Sequence, residues 1–153
     1  MTEERDLVLR EATTGDLAEL LRLLAQLFEH DTPRPDAPTD EERRALEVIL
    51  ADGCQTLVVV EDEGRIVASA VFVLVPNLTH GGRPYAILEN VVVDAGERGR
   101  GIGEMLVRHL VERARQAGCY KVALTSNKRR TDAHRFYRRL GFEATHEGFR
   151  IGL

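Results

Sequence analysis

Apolar positions along this chain switch between a helical and a strand period, and the switches mark its elements. Leu7 to Arg10 reads as a short strand, and Thr13-Thr14-Gly15-Asp16 places side-chain oxygens to cap a helix. Leu17, Leu20, Leu21, Leu24, Leu27 and Phe28 then recur at helical spacing and form one buried stripe. Glu29 to Pro38 holds three prolines and cannot continue that helix. A second helix is expected from Thr39-Asp40 to Ala51, with Leu46, Ile49 and Leu50 inward and Asp52-Gly53 at its end.

The period then shortens. Thr56 to Val60 and Arg65 to Val75 are rich in β-branched residues, and Glu61-Asp62-Glu63-Gly64 between them reads as a hairpin turn. Pro76 to Pro84 is a polar loop containing Gly81-Gly82, and Tyr85 to Asp94 a nearly continuous apolar strand, as a central strand covered on both faces would be. Glu89 and Asn90 are its interruption. Met105, Leu106, Leu110, Ala114 and Ala117 mark another helix, closed by Gly118. Tyr120 to Leu124 reads as a strand, and Asn127 to Arg130 as a basic turn. Thr131 or Asp132 is placed to cap a short helix carrying Phe136, Tyr137 and Leu140, ended by Gly141. Phe142 to Thr145 and Phe149 to Leu153 are expected to pair as a closing hairpin. The order β-α-α-β-β-β-α-β-α-β-β implies an α/β fold, a mixed sheet with helices on both faces, in a single domain over residues 1–153.

Composition narrows the function classes. A 43% hydrophobic, 30% charged chain of 153 residues is an ordinary globular one, and a net charge of -4 gives no global attraction to nucleic acid or to anionic membrane. No apolar run approaches the ~20 residues of a membrane helix. The first residues are charged and lead into no apolar signal region, so a cytoplasmic protein is expected. Cys54 and Cys119 lack metal-ligand spacing and read as reduced thiols. The five histidines show no ligand spacing either, and no metal is expected.

The densest chemistry lies in Val91-Val-Val-Asp-Ala-Gly-Glu-Arg-Gly-Arg-Gly-Ile-Gly-Glu-Met105. A strand, a loop of glycine and arginine, and a helix follow one another, which is how a backbone offers amides to a phosphate. Gly99, Gly101 and Gly103 allow close approach, Arg98 and Arg100 can neutralise charge, and the helix from Ile102 adds its positive end. A flexible turn before a helix is the plain alternative. Glu104 after Gly103 excludes a P-loop, which needs Gly-Lys-Ser/Thr, and the third glycine of a dinucleotide fingerprint.

Arg98-x-x-Gly101-x-Gly103 after a strand, with Ala133-x-x-x-Tyr137-x-x-x-Gly141-Phe142 downstream, resembles the GNAT superfamily of acetyl-CoA-dependent N-acetyltransferases. The resemblance spans nearly the whole chain. It implies a mixed, mostly antiparallel sheet with two splayed central parallel strands, here those at Val91 and Val122, and acetyl-CoA in the cleft between them. It implies that backbone groups of Val91, Val92 and Val93 contact the pantetheine and acetyl group. Arg98, Gly99, Arg100, Gly101, Ile102, Gly103 and Glu104 would wrap the pyrophosphate. Asn127 would bind the pantetheine arm, although many members have Asn where this chain has Arg130.

An amine attacking a thioester must lose a proton, and the leaving thiolate must gain one. The family places a tyrosine at Tyr137, whose phenol stays protonated at neutral pH and can supply that proton; the alternative is a core aromatic beside Phe136. A carboxylate in an apolar central strand must be solvated, hydrogen-bonded or functional, so Glu89 is either the base for the amine or a cleft carboxylate that holds an ammonium. The acceptor in this fold lies near Glu29 to Pro38 and Pro76 to Pro84. There Arg34, His80 and Arg83 could pair with an anion, and Glu29, Asp31 and Glu89 with a cation. Cys119-Tyr-Lys-Val122 looks like the glucosamine-6-phosphate N-acetyltransferases, and Thr125 to Tyr137 is similar to aminoalkylphosphonate N-acetyltransferases. A small primary amine bearing phosphate or phosphonate is the expected acceptor. Protein or peptide N-acetylation, and a non-catalytic acyl-CoA-binding module, are the alternatives, and a homodimer is expected.

Overall fold

The computed structural model describes residues 5–28 and 37–153. Its backbone packing separates residues 1–123 from residues 124–153 as two compact units. Glu29 to Asp36, most of the proline-bearing linker, lie outside the described residues.

The first unit is a five-stranded sheet in the order β1 (Val8–Glu11), β2 (Gln55–Asp62), β3 (Arg65–Val75), β4 (Tyr85–Val93) and β5 (Val122–Ala123). Every pairing is antiparallel except β4–β5, which is parallel. Its helices are α1 (Leu17–Leu24), α2 (Asp40–Ala51) and α3 (Ile102–Gln116). The register assigns faces, because cross-strand partners share one. Leu57 pairs with Val71, and both belong to the core formed with α1 and α2 through Leu20, Leu23 and Leu46. Thr56 pairs with Phe72, and both meet Arg113 of α3, by a hydrogen bond of 2.9 Å and a guanidinium 5.5 Å from the ring centroid. The helices therefore cover opposite faces, as the alternation of partners requires.

Local signals act where they were expected. Thr39 caps α2 by accepting from the Glu42 amide at 3.2 Å, while the Glu42 carboxylate accepts from the Thr39 amide at 2.9 Å. Gly118 closes α3: its amide bonds the Arg115 carbonyl and that of Cys119 the Ala114 carbonyl, both at 3.0 Å, a left-handed glycine cap. Several boundaries move: β1 and β2 run to Glu11 and Asp62, and α1 stops at Leu24 with a 3-10 turn after it, so that Phe28, like Leu50 of α2, is exposed instead of inward. β4 ends at Val93 instead of Asp94, whose side chain accepts from the Gly96 amide and turns the chain. β5 is only Val122–Ala123, short of the expected Tyr120 to Leu124.

The second unit carries α4 (Thr131–Arg139). Its cap position is Arg130, not Thr131 or Asp132, and no side chain caps it. The closing hairpin does not form: residues 142–153 contain no strand, and Phe149, Ile151 and Leu153 are exposed. An isolated pair of short strands is marginal without a sheet to extend or an apolar face to cover, and alternation of apolar residues alone does not supply either.

Candidate functional site

β4 carries the candidate residues Glu89 and Val91 to Val93, and its ladder is irregular. Val71 pairs with Glu89 and Ser69 with Val92, so two steps on β3 match three on β4 and one residue is extra. Asn90 absorbs it with φ 51°, a left-handed conformation that asparagine tolerates better than most residues. The polar interruption in the sequence is therefore a β-bulge. Its partner Val71 puts Glu89 on the α1/α2 face, with its side chain exposed. Tyr85 and Ile87 share that face, through their partners Val75 and Val73. Water solvates the Glu89 carboxylate, so it remains in the sheet without a buried partner.

The parallel pairing of β4 stops at Ile87, opposite Ala123. Within this unit Leu88 to Val93 have a strand partner on the β3 side alone, which leaves the other edge of Val91, Val92 and Val93 with its backbone groups available. Arg98 folds back onto that edge, its Nε 3.4 Å from the Val93 carbonyl oxygen.

The loop that follows is shaped by glycine. Gly99 and Gly101 have φ of 78° and 79°, which would strain a side chain, and Gly101 stands at the N-cap of α3 without any side-chain cap. The first amide of α3 held within the helix is that of Met105, on the Gly101 carbonyl at 3.0 Å. Those of Ile102, Gly103 and Glu104 precede the first helical turn and point out of the helix end. Amides at a long helix's positive end beside Arg98 and Arg100 form a donor set suited to a diphosphate. Arg100 meanwhile pairs with Glu97 at 3.1 Å, and Glu104 with Arg108 at 2.8 Å.

Asp94, at the head of this loop, had no part in the expected site. It is 6% exposed, and Arg22 of α1 holds it at 2.7 Å. That hydrogen bond, more than any other contact, keeps the Asp94 carboxyl below the ordinary carboxylate range. The sequence signal was an aspartate directly after a β-branched run and before Ala-Gly, the pattern of a turn cap.

Around Pro76 to Pro84, His80, Gly81 and Gly82 all have positive φ, which explains the glycine pair. The His80 ring stacks on Tyr120 with centroids 3.8 Å apart. Arg83 donates to the carbonyls of Gly118 and Cys119, just past the end of α3, at 3.4 and 3.3 Å, and so braces the turn that leads to β5. The exposed Lys121 ammonium lies 5.1 Å from the Tyr85 ring centroid and 5.5 Å from that of Tyr120. Glu29, Asp31 and Arg34, expected near the acceptor, lie outside the described residues.

In the second unit Tyr137 is half-buried, with Phe136 and Phe142 edge-on at 5.1 and 5.7 Å. Burial raises its pKa above the ordinary phenol value, and Arg130 works against that rise. The Phe142 amide bonds the Tyr137 carbonyl and the Gly141 amide that of Arg138, both at 3.0 Å, around Gly141 at φ 96°. The spacing Tyr-x-x-x-Gly-Phe is thus a helix-ending motif that presses Phe142 against the tyrosine. Asn127 uses its side-chain oxygen on the Arg129 amide at 2.9 Å, so it builds its own turn.

Residues 17–142 match the model of the Acetyltransferase (GNAT) family. The chain is 37% identical over its full length, and over the full length of the relative, to a glucosamine 6-phosphate N-acetyltransferase of Trypanosoma brucei brucei. It is 41% identical over 66 residues, 43% of each chain, to an aminoalkylphosphonate N-acetyltransferase of Salmonella typhimurium. A putative acetyltransferase from Agrobacterium tumefaciens superposes with a TM-score of 0.88 at 40% identity, covering 95% of this chain and 99% of that one.

Proposed function

The chain belongs to the Acetyltransferase (GNAT) family and is an acyltransferase; from that premise we propose that it transfers the acetyl group of acetyl-CoA to the primary amine of a small phosphate-bearing amino sugar. The observation that carries this reading is the end-to-end match with a glucosamine 6-phosphate N-acetyltransferase. Lys121 supports an anionic acceptor: an exposed cation beside Tyr85, which shares a strand face with Glu89.

The amine nitrogen attacks the thioester carbonyl, the carbon–sulfur bond breaks, and CoA leaves as a thiolate. Glu89, solvated on its bulge, takes the proton that the ammonium must lose. Tyr137, held protonated by burial, gives one to the thiolate, and the second proton shed by the nitrogen as the amide forms reloads the phenolate. The loop from Arg98 to Glu104 holds the pyrophosphate, Val91 to Val93 offer backbone groups to the pantetheine and acetyl group, and Asn127 adds a donor. The exposed Phe149, Ile151 and Leu153 give a second copy an apolar strip to cover, which fits a homodimer. Free Cys54 and Cys119 fit the reducing cytoplasm. Among the described residues no helix is long and apolar enough to cross a membrane.

A CoA-release assay with glucosamine 6-phosphate, glucosamine, an aminoalkylphosphonate and a peptide amine tests the reading. Phosphorylated acceptor should exceed glucosamine in kcat/KM by at least about tenfold, the value of one charge-assisted contact. A preference for the peptide would assign protein acetylation instead. CoA binding without release from any amine would leave a binding module.

A further inference from the structure

Asp94 accepts four hydrogen bonds from four different parts of the first unit. Its Oδ1 takes the Gly96 amide at 3.0 Å. Its Oδ2 takes Arg22 at 2.7 Å, Arg65 at 3.1 Å and the Gln26 side chain at 3.4 Å. Gln26 makes the link double, because its Oε1 accepts from the Ala95 amide at 2.9 Å. Arg22 is itself fixed to the β3 backbone, donating to the Ile66 carbonyl at 2.9 Å.

These bonds pin Asp94 to Gly96 against α1, the 3-10 turn Ala25–Leu27 after it, and the start of β3. From there the constraint passes along the loop. The Glu97 amide closes a turn on the Asp94 carbonyl at 2.8 Å, and the Glu97 carboxylate holds Arg100 at 3.1 Å and Arg5 at 2.6 Å. The next residues are the glycines and the free amides of α3. A buried carboxylate so close to an intended diphosphate would repel it unless its charge were compensated, and Arg22 and Arg65 supply that compensation.

We infer that Asp94, together with Gln26, is a positioning residue for acetyl-CoA: it touches no part of the cofactor, and it sets cofactor affinity by holding the pyrophosphate loop in its binding shape. The inference rests on the reading of Arg98 to Glu104 as the pyrophosphate site. Preorganised donors bind more tightly because the loop's ordering cost is met on folding. Gln26 belongs to the mechanism because its two bonds tie the loop to the segment after α1 without adding charge.

Two variants, Asp94→Asn and Gln26→Ala, test it, with two acetyl donors: acetyl-CoA, and S-acetylpantetheine, which lacks the diphosphate. Both variants should raise the KM for acetyl-CoA and the Kd for CoA roughly tenfold, with kcat within about threefold of wild type. Their kcat/KM with S-acetylpantetheine should stay at the wild-type value. A fall with both donors would make the network a general support of the fold and overturn the inference, and so would unchanged CoA affinity in Gln26→Ala. Gln26→Ala removes only uncharged links from a half-buried side chain, so the question stays open to test even if Asp94→Asn unfolds. The underlying site assignment is judged separately by Arg98→Ala. If that variant binds CoA as wild type does, the pyrophosphate reading fails; if it weakens CoA while the other two variants do not, only the positioning role fails.

Discussion

In the mechanism we propose, Tyr137 and Glu89 divide the proton traffic by their surroundings. Burial disfavours the phenolate, so Tyr137 keeps its proton to a pH above the ordinary phenol value. An acid that stays loaded gives a kcat that does not decline on the alkaline side through pH ~9 for want of that proton. Tyr137→Phe should lower kcat by about 100-fold at every pH while leaving the KM for acetyl-CoA within a few-fold. Stopped-flow CoA release across a pH series checks both statements, and unchanged turnover in the variant would remove the role. Glu89→Gln should lower kcat in the same assay without weakening CoA, because the exposed carboxylate supports no packing. If instead only the KM for the amine rises, Glu89 binds the ammonium and takes no proton.

At the scale of the element, β4 depends on one strained residue. Asn90 holds the extra position of the bulge at φ 51°. Asn90→Gly accepts that conformation and should change stability by less than ~1 kcal/mol, whereas β-branched Asn90→Val should cost about 1–3 kcal/mol. Urea unfolding of the pair measures the difference; equal midpoints would mean the bulge is not strained. Gly141 offers a parallel case. Its φ of 96° closes α4 and presses Phe142 on Tyr137, so Gly141→Ala should cost roughly 1 kcal/mol and disturb the setting of Tyr137 with it. The C-terminal segment shows the reverse. Phe149, Ile151 and Leu153 alternate as a strand would, yet no strand forms, because period without a paired edge does not pay for its own ordering.

The first unit is tied by carboxylates held by arginines from other elements. Arg10 grips Asp16 at 2.8 Å and Glu61 at 2.7 Å, and Arg22 grips Asp94 at 2.7 Å. Asp16 is held below its ordinary pKa chiefly by Arg10, and Asp94 chiefly by Arg22. A depressed folded-state pKa contributes stability that is complete above the unfolded value, near ~3.9, and is lost as pH falls through the lower folded value. The urea midpoint should therefore hold from pH 7 to about 5 and drop below pH ~4. Asp16→Asn should flatten that drop; an unaltered acid limb would show that the pair adds nothing. Asp16 is partly solvated, so the effect is smaller than that of a buried pair.

Periodicity by itself determined most strands and helices here, because a face that must be buried leaves its spacing in the chain: the helical stripe from Leu17, the β-branched runs of β2 and β3, and the Thr39 cap all proved local. It determined the shape of the glycine loop as well, since Gly99, Gly101 and the helix behind them need only their neighbours, and Tyr137-x-x-x-Gly141-Phe142 is a helix ending complete within six residues. Tertiary structure alone decided that Glu89 and Asn90 form a bulge, because a bulge exists only against the register of β3. It alone gave Asp94 its partners Arg22, Gln26 and Arg65, which reach it from other elements. It gave Arg83 to the turn just past α3 and left Phe149 to Leu153 uncovered. Spacing records what a residue does for its own helix or strand; which distant groups meet it is set by how those elements pack.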